Sequence, residues 1–412
     1  MIRILFSSVI GMTLLLTTGQ RLSVEQFRGR NRDGVYPETG LLKQWPAEGP
    51  KLLWSAEGIG IGYGSPTVTD DRLFINGDID SLAYLFAYEL NGILIWKREF
   101  GQNFSVHHGG PRSTPTVTDG LVYVTSGMGD VACFDAEDGD LKWRLNMITD
   151  LHGTNCLHGY AQSPLIDDNY LYCQPGGKDT NFVALNRLTG KIKWVSSGSG
   201  QVESFSSPIL INHKGQKQVV ALSEHALYGL DARTGERKWL YDLDTTGFVH
   251  ANMPIYQNGN LYYVAGTSAS VSGRLRLSDD GNHVEEVWHN RFFDNCMGGV
   301  VSLDGHLVAT GHRQGWLKCL DAERGIVTDS VKLSRGATIY ADSMFYLYTE
   351  KGIVNLVAWT DGKLKPVSSF TVTLGNNEHY AHPVIRNGVL YIRHGDALMA
   401  YAIGAKDGLT IH

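Results

Sequence analysis

The sequence has few cysteines and no adjacent pair of them. Its five cysteines are an odd number without Cys-x-x-Cys spacing: Cys133, Cys156, Cys173, Cys296 and Cys319. These absences argue against a disulfide framework and against a zinc site of the usual spacing. Cys133, Cys173 and Cys319 fall in apolar runs and are predicted to be small core residues. Cys156 and Cys296 lie in predicted loops, and no role is assigned to them.

An excess of one charge is also missing. The 412 residues include 36 basic and 42 acidic side chains, a formal net charge of -6, with no run of Lys or Arg. The sequence has neither the excess nor the cluster of basic residues that is typical of nucleic-acid-binding proteins, so no nucleic acid partner is predicted. Only 8 methionines accompany 48 glycines, 19 tyrosines and 9 tryptophans. That composition favours tight turns and stiff strands over a helical bundle and predicts an almost all-β fold.

The first residues have the pattern of a secretory signal. Arg3 precedes an apolar stretch from Ile4 to Leu16, and small or polar residues follow it. The stretch is shorter than the roughly 20 residues of a membrane span. We therefore predict an exported protein, periplasmic or extracellular, with residues 1–19 as a signal peptide and no stable membrane insertion after its removal. An uncleaved membrane anchor is the alternative, because the cleavage region lacks Ala-x-Ala.

One pattern returns along the whole chain. Copies that place a proline second begin at Ser65, Thr114, Ser163, Ser207, Met253 and His382, and two less regular copies begin at Gly299 and Ala337. Each copy has a short apolar strand, a polar turn, an aromatic and β-branched strand and a third strand. Most copies then continue through a glycine turn into a strand that ends in Trp, as in "FDAEDGDLKW". Four short strands in each repeat of about 45 residues are typical of a propeller blade.

Eight copies predict an eight-bladed β-propeller of four-stranded antiparallel blades. The last copy, from His382, has only three strands, whereas the segment from Gly49 to Gly58 supplies one strand that contains Trp54. Pairing the two closes the ring and removes exposed sheet edges. The predicted organisation is a signal peptide (1–19), a lead-in arm (20–48), the propeller (49–404) and a short tail (405–412). A seven-bladed alternative requires one irregular copy to be an insertion.

The recurring phrase also carries a family resemblance. "LDARTGERKW", which ends at Trp239, resembles the tryptophan-docking repeat of pyrroloquinoline-quinone (PQQ) dehydrogenases and of non-enzymatic relatives with the same eight-bladed fold. The resemblance covers nearly the whole predicted mature chain, and the lead-in from Gln26 is similar to the start of secreted bacterial PQQ-like repeat proteins. The match is clean at Trp96, Trp143, Trp194 and Trp239, approximate around Trp288, and fails in the sixth and seventh copies.

The candidate ligand-binding residues lie between the repeated phrases. In a propeller, the loop that enters the first strand of each blade borders a central funnel, where small ligands usually bind. Seven of the 15 histidines fall in these loops: His107, His108, His152, His158, His250, His379 and His382. We predict that they converge on one pocket with other polar residues, namely Arg112, Tyr160, Asn252, Asp294, Glu378 and Tyr380. Such a pocket could bind an anion, a sugar or a metal.

Simpler interpretations of these residues remain open. The histidines could be locally hydrogen-bonded loop residues that never meet, and no His-x-His or His-x-x-x-His pair supplies preformed metal ligands, so no metal site is assigned. The acidic turns at Asp70 and Asp167 favour solvent-exposed hairpins over calcium sites. Arg28, Arg30 and Arg32 form a mild basic patch, interpreted as a docking arm and not as a binding site.

The resemblance implies two classes of function. A PQQ dehydrogenase transfers a hydride from an alcohol to the quinone while Ca²⁺ polarises it and a carboxylate acts as base. The active family members are longer, and those of the methanol dehydrogenase type have a vicinal Cys-Cys disulfide. Adjacent cysteines are absent here, and the family's metal-binding Glu-Asn-Asp set and catalytic residues cannot be assigned to positions in this sequence.

The second class is a non-catalytic propeller that binds a protein, a glycan or a small molecule. One such relative is the lipoprotein that assists outer-membrane barrel assembly, although the lipidated Cys after the signal is missing here. We therefore favour an exported binding or scaffold protein, expected to be a monomer, with an unknown funnel ligand. A PQQ- or quinone-dependent alcohol or sugar dehydrogenase is the alternative, and PQQ with Ca²⁺ is a cofactor that we do not favour.

Overall fold

The computed structural model describes residues 23–154, 157–244, 249–266 and 271–405. The predicted signal peptide, Cys156 and all of the tail after residue 405 lie outside these residues. The described chain forms 33 β-strands, grouped into eight sheets around one central channel. It contains no helix with the length and apolar character needed to cross a membrane.

The strands follow one another regularly along the chain. The two strands before the first complete blade are β1 (Val35–Tyr36) and β2 (Leu52–Glu57). Blade 1 comprises β3 (Thr67–Val68), β4 (Arg72–Ile79), β5 (Leu82–Glu89) and β6 (Leu94–Gln102), and blade 2 comprises β7 (Thr116–Thr118), β8 (Leu121–Thr125), β9 (Asp130–Asp135) and β10 (Leu141–Asn146). Blade 3 comprises β11 (Leu165–Asp167), β12 (Tyr170–Cys173), β13 (Phe182–Asn186) and β14 (Ile192–Ser196), and blade 4 comprises β15 (Ile209–His213), β16 (Gln216–Leu222), β17 (Ala226–Asp231) and β18 (Arg237–Asp242).

Blade 5 comprises β19 (Ile255–Gln257), β20 (Asn260–Ala265), β21 (Val271–Leu277) and β22 (Val284–Asn290), and blade 6 comprises β23 (Val301–Leu303), β24 (His306–Thr310), β25 (Trp316–Asp321) and β26 (Ile326–Lys332). Blade 7 comprises β27 (Gly336–Ala341), β28 (Met344–Thr349), β29 (Ile353–Thr360) and β30 (Lys363–Thr371), and blade 8 contains β31 (Val384–Arg386), β32 (Val389–His394) and β33 (Ala397–Ala402). Within each blade, consecutive strands pair antiparallel. All eight predicted copies form blades, so the eight-bladed prediction is confirmed and the seven-bladed alternative is wrong.

The ring closes as predicted. Strand β2 pairs antiparallel with β33, with Trp54 opposite Ala400, and completes blade 8. The first and last parts of the described propeller therefore share one sheet, and blade 8 has the four strands predicted for each blade. Strand β1 adds a short parallel strand to the inner edge of blade 7, where Val35 lies opposite Tyr340.

The repeated glycine turn and the Trp at the end of the following strand stabilise the interface between neighbouring blades. Trp143 of blade 2 packs against the turn glycine Gly190 of blade 3, and its indole N–H donates to the carbonyl oxygen of Arg187 at 2.8 Å. Gly190 has a φ of +67°, a conformation that glycine adopts at little cost, and a Cβ there would lie 2.8 Å from the indole. The same arrangement joins Trp54 to Gly92, Trp96 to Gly139, Trp194 to Gly235 and Trp288 to Gly325.

The two copies without this Trp use other side chains. Between blades 6 and 7, His306 lies against the turn glycine Gly362, and its ring meets Trp359 edge-on at 5.4 Å. At the outer strand of blade 7, the lead-in arm contributes Trp45, whose ring contacts Phe370 at 5.4 Å. These replacements have no counterpart in the repeat pattern, and sequence alignment of the copies does not reveal them.

Hydroxyl groups connect five consecutive blade starts by hydrogen bonds along one side of the channel. The backbone N–H of His382 donates to Ser65, that of Ser65 to Thr114, that of Thr114 to Ser163 and that of Ser163 to Ser207. Each hydroxyl oxygen thus satisfies a buried N–H of the adjacent blade start. This pairing gives a physical reason for the Ser or Thr before the repeated proline.

The lead-in arm closes the channel beneath the funnel. Glu25 forms a β-bridge with Val117 of blade 2, and β1 pairs with blade 7 on another part of the ring. Between these contacts, Arg28 is 4% exposed and Arg32 is 6% exposed. The prediction of a mild basic patch is therefore wrong for these two arginines, because both side chains insert between the blades.

Candidate functional site

A cavity of about 270 Å³ opens at the funnel above the arm. The first-strand loops of several blades and the arm itself contribute its walls. The lining residues are Phe27, Tyr63, His108, Arg112, His158, Ala161, Ser163, Phe205, Ser207, Val249, Ala251, Cys296, Met297, His312, Tyr380 and His382. The lining is dominated by aromatic, imidazole and small side chains, and none of these residues is acidic.

Some of the predicted candidates do meet in this cavity. His108, Arg112, His158, Tyr380 and His382 all line it. The rings of His108 and His158 are 6.3 Å apart, and that of His108 lies 6.0 Å from Tyr380. Burial lowers the pKa of His158, and the positive charge of Arg112 lowers it further. His107 is adjacent, with its ring 6.1 Å from that of His158.

Glu378 connects two of the cavity walls from behind. The phenol of Tyr63 donates to its Oε2 at 2.5 Å, and Nδ1 of His108 donates to its Oε1 at 2.7 Å. Burial acts to raise the pKa of Glu378, but these two hydrogen bonds, a backbone hydrogen bond and the charge of His108 together leave the pKa below its usual value. The carboxylate is thus ionised and occupied in positioning Tyr63 and His108.

His382 forms part of the floor together with the arm. Arg28 donates to its Nδ1 at 3.0 Å, so Nε2 carries the ring proton and donates to the carbonyl oxygen of Met297 at 2.9 Å. The ring of Phe27 meets it edge-on at 5.1 Å. Burial, together with the adjacent Arg28, lowers the pKa of His382 to about 3. This neutral imidazole has both nitrogens engaged within the protein.

Two of the other predicted histidines lie away from the cavity lining. His152 is exposed. His250 is buried, where Nδ1 accepts from the N–H of Gly266 and Nε2 donates to the carbonyl oxygen of Glu224. Its contacts hold loop backbone in place.

His379 stacks on His394 with ring centroids 3.6 Å apart, and its Nδ1 bonds the hydroxyl of Tyr348. Burial lowers the pKa of His379 to about 4, and the neighbouring His394 contributes to the shift. The residue borders a smaller crevice beside the main cavity.

The remaining polar candidates are buried supports. Tyr160 is fully buried and donates to the carbonyl oxygen of Pro175 at 2.8 Å. Asn252 donates to the carbonyl oxygen of Asn295 and accepts from the N–H of Gly299. Asp294 forms an ion pair with Lys318 at 2.6 Å. Asn252 thus connects two neighbouring blade entries, whereas Tyr160 and Asp294 each bond a residue of the blade that their own loop enters. None of the three lines the cavity.

Sequence reasoning missed several of the cavity walls. Tyr63 and Phe205 occur in predicted funnel loops, and an inspection of the loops for aromatic residues in addition to histidines finds both. His312 lies between two blade strands and carries no such signal. Phe27 comes from the arm, whose path through the channel is not encoded in the repeat.

The comparisons with known proteins agree with this architecture. Residues 81–327, more than half of the chain, match the family model described as outer membrane protein assembly factor BamB. The chain belongs to this family. The PQQ-like resemblance stated from the sequence is therefore confirmed, since the BamB family and the quinoprotein dehydrogenases both match this propeller.

Relatives of both functional classes are found. The chain is similar to the outer membrane protein assembly factor BamB of Shewanella oneidensis, with 22% identity over 64% of this chain and 66% of that protein. It is also similar to the quinoprotein ethanol dehydrogenase of Pseudomonas putida, with 27% identity over 35% of this chain and 24% of that enzyme. The quinohemoprotein alcohol dehydrogenase of Comamonas testosteroni has a similar structure, with a TM-score of 0.65 and 12% identity, covering 94% of this chain and 81% of that chain. At this identity the structural likeness shows the fold alone.

The funnel of this BamB family member does not fit a Ca²⁺–PQQ centre. Calcium takes about six to eight oxygen ligands, with carboxylates prominent among them, and no lining residue supplies a carboxylate. Within the described ranges, no group of three or more His, Cys, Asp or Glu side chains is arranged to hold a metal ion. Cys296, the lining cysteine, has no cysteine next to it in the sequence.

Proposed function

We propose that this protein is an exported, non-catalytic binding or scaffold propeller whose ligand site is the funnel cavity. The observation that carries the proposal is the lining itself, which combines rings, imidazoles, small side chains and Arg112 without a free carboxylate. Glu378, the carboxylate adjoining Tyr63 and His108, is held by both. A hydride-transferring site needs a base to accept the substrate proton. The proposed ligand-binding residues are His107, His108, Arg112, His158, Tyr380 and His382.

The family supports a protein partner in the periplasm. Relatives that match over most of their length are named outer membrane protein assembly factors. We infer that this chain acts in the periplasm and docks another protein at the funnel mouth. Exposed apolar side chains at this mouth, Val106 and Leu157, are 54% and 52% exposed and belong to loops that carry His108 and His158.

Site-specific photocross-linking in living cells tests the docking proposal. A photoreactive phenylalanine analogue replaces Val106 at the mouth, and in a matched control it replaces Leu188, which is 49% exposed on a blade turn. We expect a discrete cross-linked product in the periplasmic fraction from position 106 alone. The product should disappear when Ala161→Phe fills the cavity. Cross-linking from position 188 alone, or from neither position, would refute docking at the funnel.

A second candidate function is a quinone-dependent dehydrogenase. It is favoured by the sequence match to the Pseudomonas putida ethanol dehydrogenase, which covers a quarter of that enzyme. The lining chemistry argues against it, because the residues that line the cavity supply neither a calcium ligand set nor a carboxylate base.

A further inference from the structure

The centre of the ring concentrates positive charge that has no ion-pair partner. Arg28, Arg32 and Arg393 are buried, and none of them forms an ion pair within the described residues. Their donors are directed mainly at backbone carbonyl groups. Arg393, for example, bonds the carbonyl oxygens of Gly60, Gly64, Asn76 and Gly395. Burial lowers the pKa of Arg28 to about 10 and that of Arg32 and Arg393 to about 9, so all three remain cationic at neutral pH.

These charges adjoin the funnel cavity. Arg28 bonds His382 in its floor, and the guanidinium of Arg393 lies directly behind Gly62, next to the lining residue Tyr63. Arg32 donates to the carbonyl oxygens of Ser163, a lining residue, and of Pro208. Carboxylates offset part of this field, since Asp33 acts on Arg28, Asp78 acts on Arg393 and Glu378 bonds Tyr63 and His108 behind the wall. The residues that line the cavity itself include the cationic Arg112 and no acidic side chain.

Arg112 brings a further cation to the cavity wall. Its guanidinium lies 5.6 Å from the ring of Tyr63 and 5.5 Å from that of Phe104, and it donates to the carbonyl oxygens of His107 and His108. These contacts hold the planar group in one orientation. A guanidinium fixed in this way is suited to a carboxylate, since charge-assisted hydrogen bonds are about twice as strong as neutral ones.

The remainder of the lining suits a flat apolar body. The rings of Tyr63 and Tyr380 are 5.3 Å apart on one wall, and Phe205 lies 5.3 Å from His158 on another. Phe27 supplies an aromatic floor. Aromatic pairs at such separations prefer offset or edge-to-face packing, and a flat ring inserted between them gains contact area on both faces. A cavity of about 270 Å³ accommodates a one-ring or two-ring compound.

We propose that the funnel binds a small aromatic carboxylate, with its ring between Tyr63, Phe205 and Phe27 and its carboxylate towards Arg112. This inference rests on the proposed function, because it names the ligand class of the same site. It differs from a Ca²⁺–PQQ centre in needing neither a metal ion nor redox chemistry.

Calorimetric titration of the full exported chain tests the ligand class. The probes are 2-naphthoate, its neutral isostere 2-naphthamide and the cationic 2-naphthylmethylamine, each at low and at high salt. We expect 2-naphthoate to bind with a stoichiometry of one and at least about tenfold more tightly than the amide, a difference of about 1.4 kcal/mol. The cation should bind weakest, and high salt should reduce the preference for the anion.

Four variants locate the site. Arg112→Gln should reduce 2-naphthoate binding to the level of the amide, whereas Arg112→Lys should keep part of the preference. Arg144→Gln removes an exposed arginine of the outer strand β10 and should change nothing. Ala161→Leu should weaken both the acid and the amide by filling the cavity, and it provides an independent test if Arg112→Gln disturbs its loop.

The possible results separate the two proposals. Equal binding of the acid and the amide, both abolished by Ala161→Leu, would overturn the carboxylate class and leave the funnel as a binding site. Binding that Ala161→Leu does not affect would overturn the funnel as the location of this ligand. If none of the three probes binds, the aromatic carboxylate proposal fails, while partner docking is decided separately by cross-linking at position 106.

Discussion

Arg28 and His382 are 354 positions apart in the sequence, and Nη1 of Arg28 donates to Nδ1 of His382 at 3.0 Å. The same guanidinium also bonds the carbonyl oxygens of Val300 and Thr338. One side chain of the lead-in arm therefore contacts the inner ends of blades 6, 7 and 8. The arm is an integral part of the ring, and it fixes the floor of the funnel.

Removal of Arg28 should destabilise the propeller. Arg28→Ala leaves buried carbonyl groups without their donor, and we expect the free energy of unfolding to fall by about 2–4 kcal/mol. Urea denaturation followed by tryptophan fluorescence measures the change. Arg30→Ala is the matched control on the same arm. Arg30 is half exposed and pairs with Glu25, so its loss should cost no more than about 1 kcal/mol. If the two substitutions lower the free energy of unfolding equally, Arg28 does not stabilise the ring more than an exposed arginine does.

The docking of Trp143 on Gly190 can be separated from the cost of backbone strain. Gly190 and Gly120 have φ values of +67° and +70°. A Cβ at Gly190 meets the indole of Trp143, whereas a Cβ at Gly120 meets nothing within 4 Å. Gly120→Ala should therefore cost about 1 kcal/mol from strain alone. Gly190→Ala adds a steric term of about 1–3 kcal/mol. Thermal unfolding of both variants provides the measurement, and equal losses would show that the indole contact is dispensable.

Asp78 should make stability depend on pH. Burial raises its pKa to about 7, although the N–H of Phe104 and the charge of Arg393 oppose the shift. The folded state thus holds this proton more tightly than the unfolded chain, whose Asp titrates near pH 4. The contribution of Asp78 is fully present below about pH 4 and is lost as pH rises towards about 7. The loss is at most about 4 kcal/mol.

Asp78→Asn should flatten this part of the profile and stabilise the protein at pH 8. Urea midpoints between pH 4.5 and 8 measure the effect. Asp179→Asn, which changes an exposed residue, should reproduce the wild-type profile. If Asp78→Asn lowers stability at pH 8, its carboxylate is ionised and stabilising in the fold, contrary to our assignment.

The blades could be predicted because each one repeats a local requirement. Each blade contacts its neighbour through the glycine turn, the Trp that packs on it and the hydroxyl before the proline. Because every blade needs these contacts, the same residue types recur at the repeat spacing in the sequence. Even the irregular copies at Gly299 and Ala337 were identified, because strand alternation survives where the Trp is lost. The closing strand that contains Trp54 followed from counting strands.

The candidate site could be predicted only in part. Loop position alone identified His108, Arg112, His158 and His382, which do line the cavity. It does not distinguish them from His250, which hydrogen bonds fix within the protein. The direction of a loop side chain depends on backbone dihedrals that histidine does not determine. Phe27 was missed and Arg28 was assigned to a basic patch, because the environment of both is created by the completed ring, from strands hundreds of residues away.

We propose that the funnel serves binding and not quinone catalysis. Reconstitution measures this most directly: the purified protein is incubated with PQQ, with and without Ca²⁺, and passed through a sizing column. Quinone absorbance and alcohol-dependent dye reduction are then recorded. We predict no dye reduction above the background, and any retention of the anionic PQQ should be independent of Ca²⁺. Stoichiometric, Ca²⁺-dependent retention together with alcohol-dependent turnover would contradict the account.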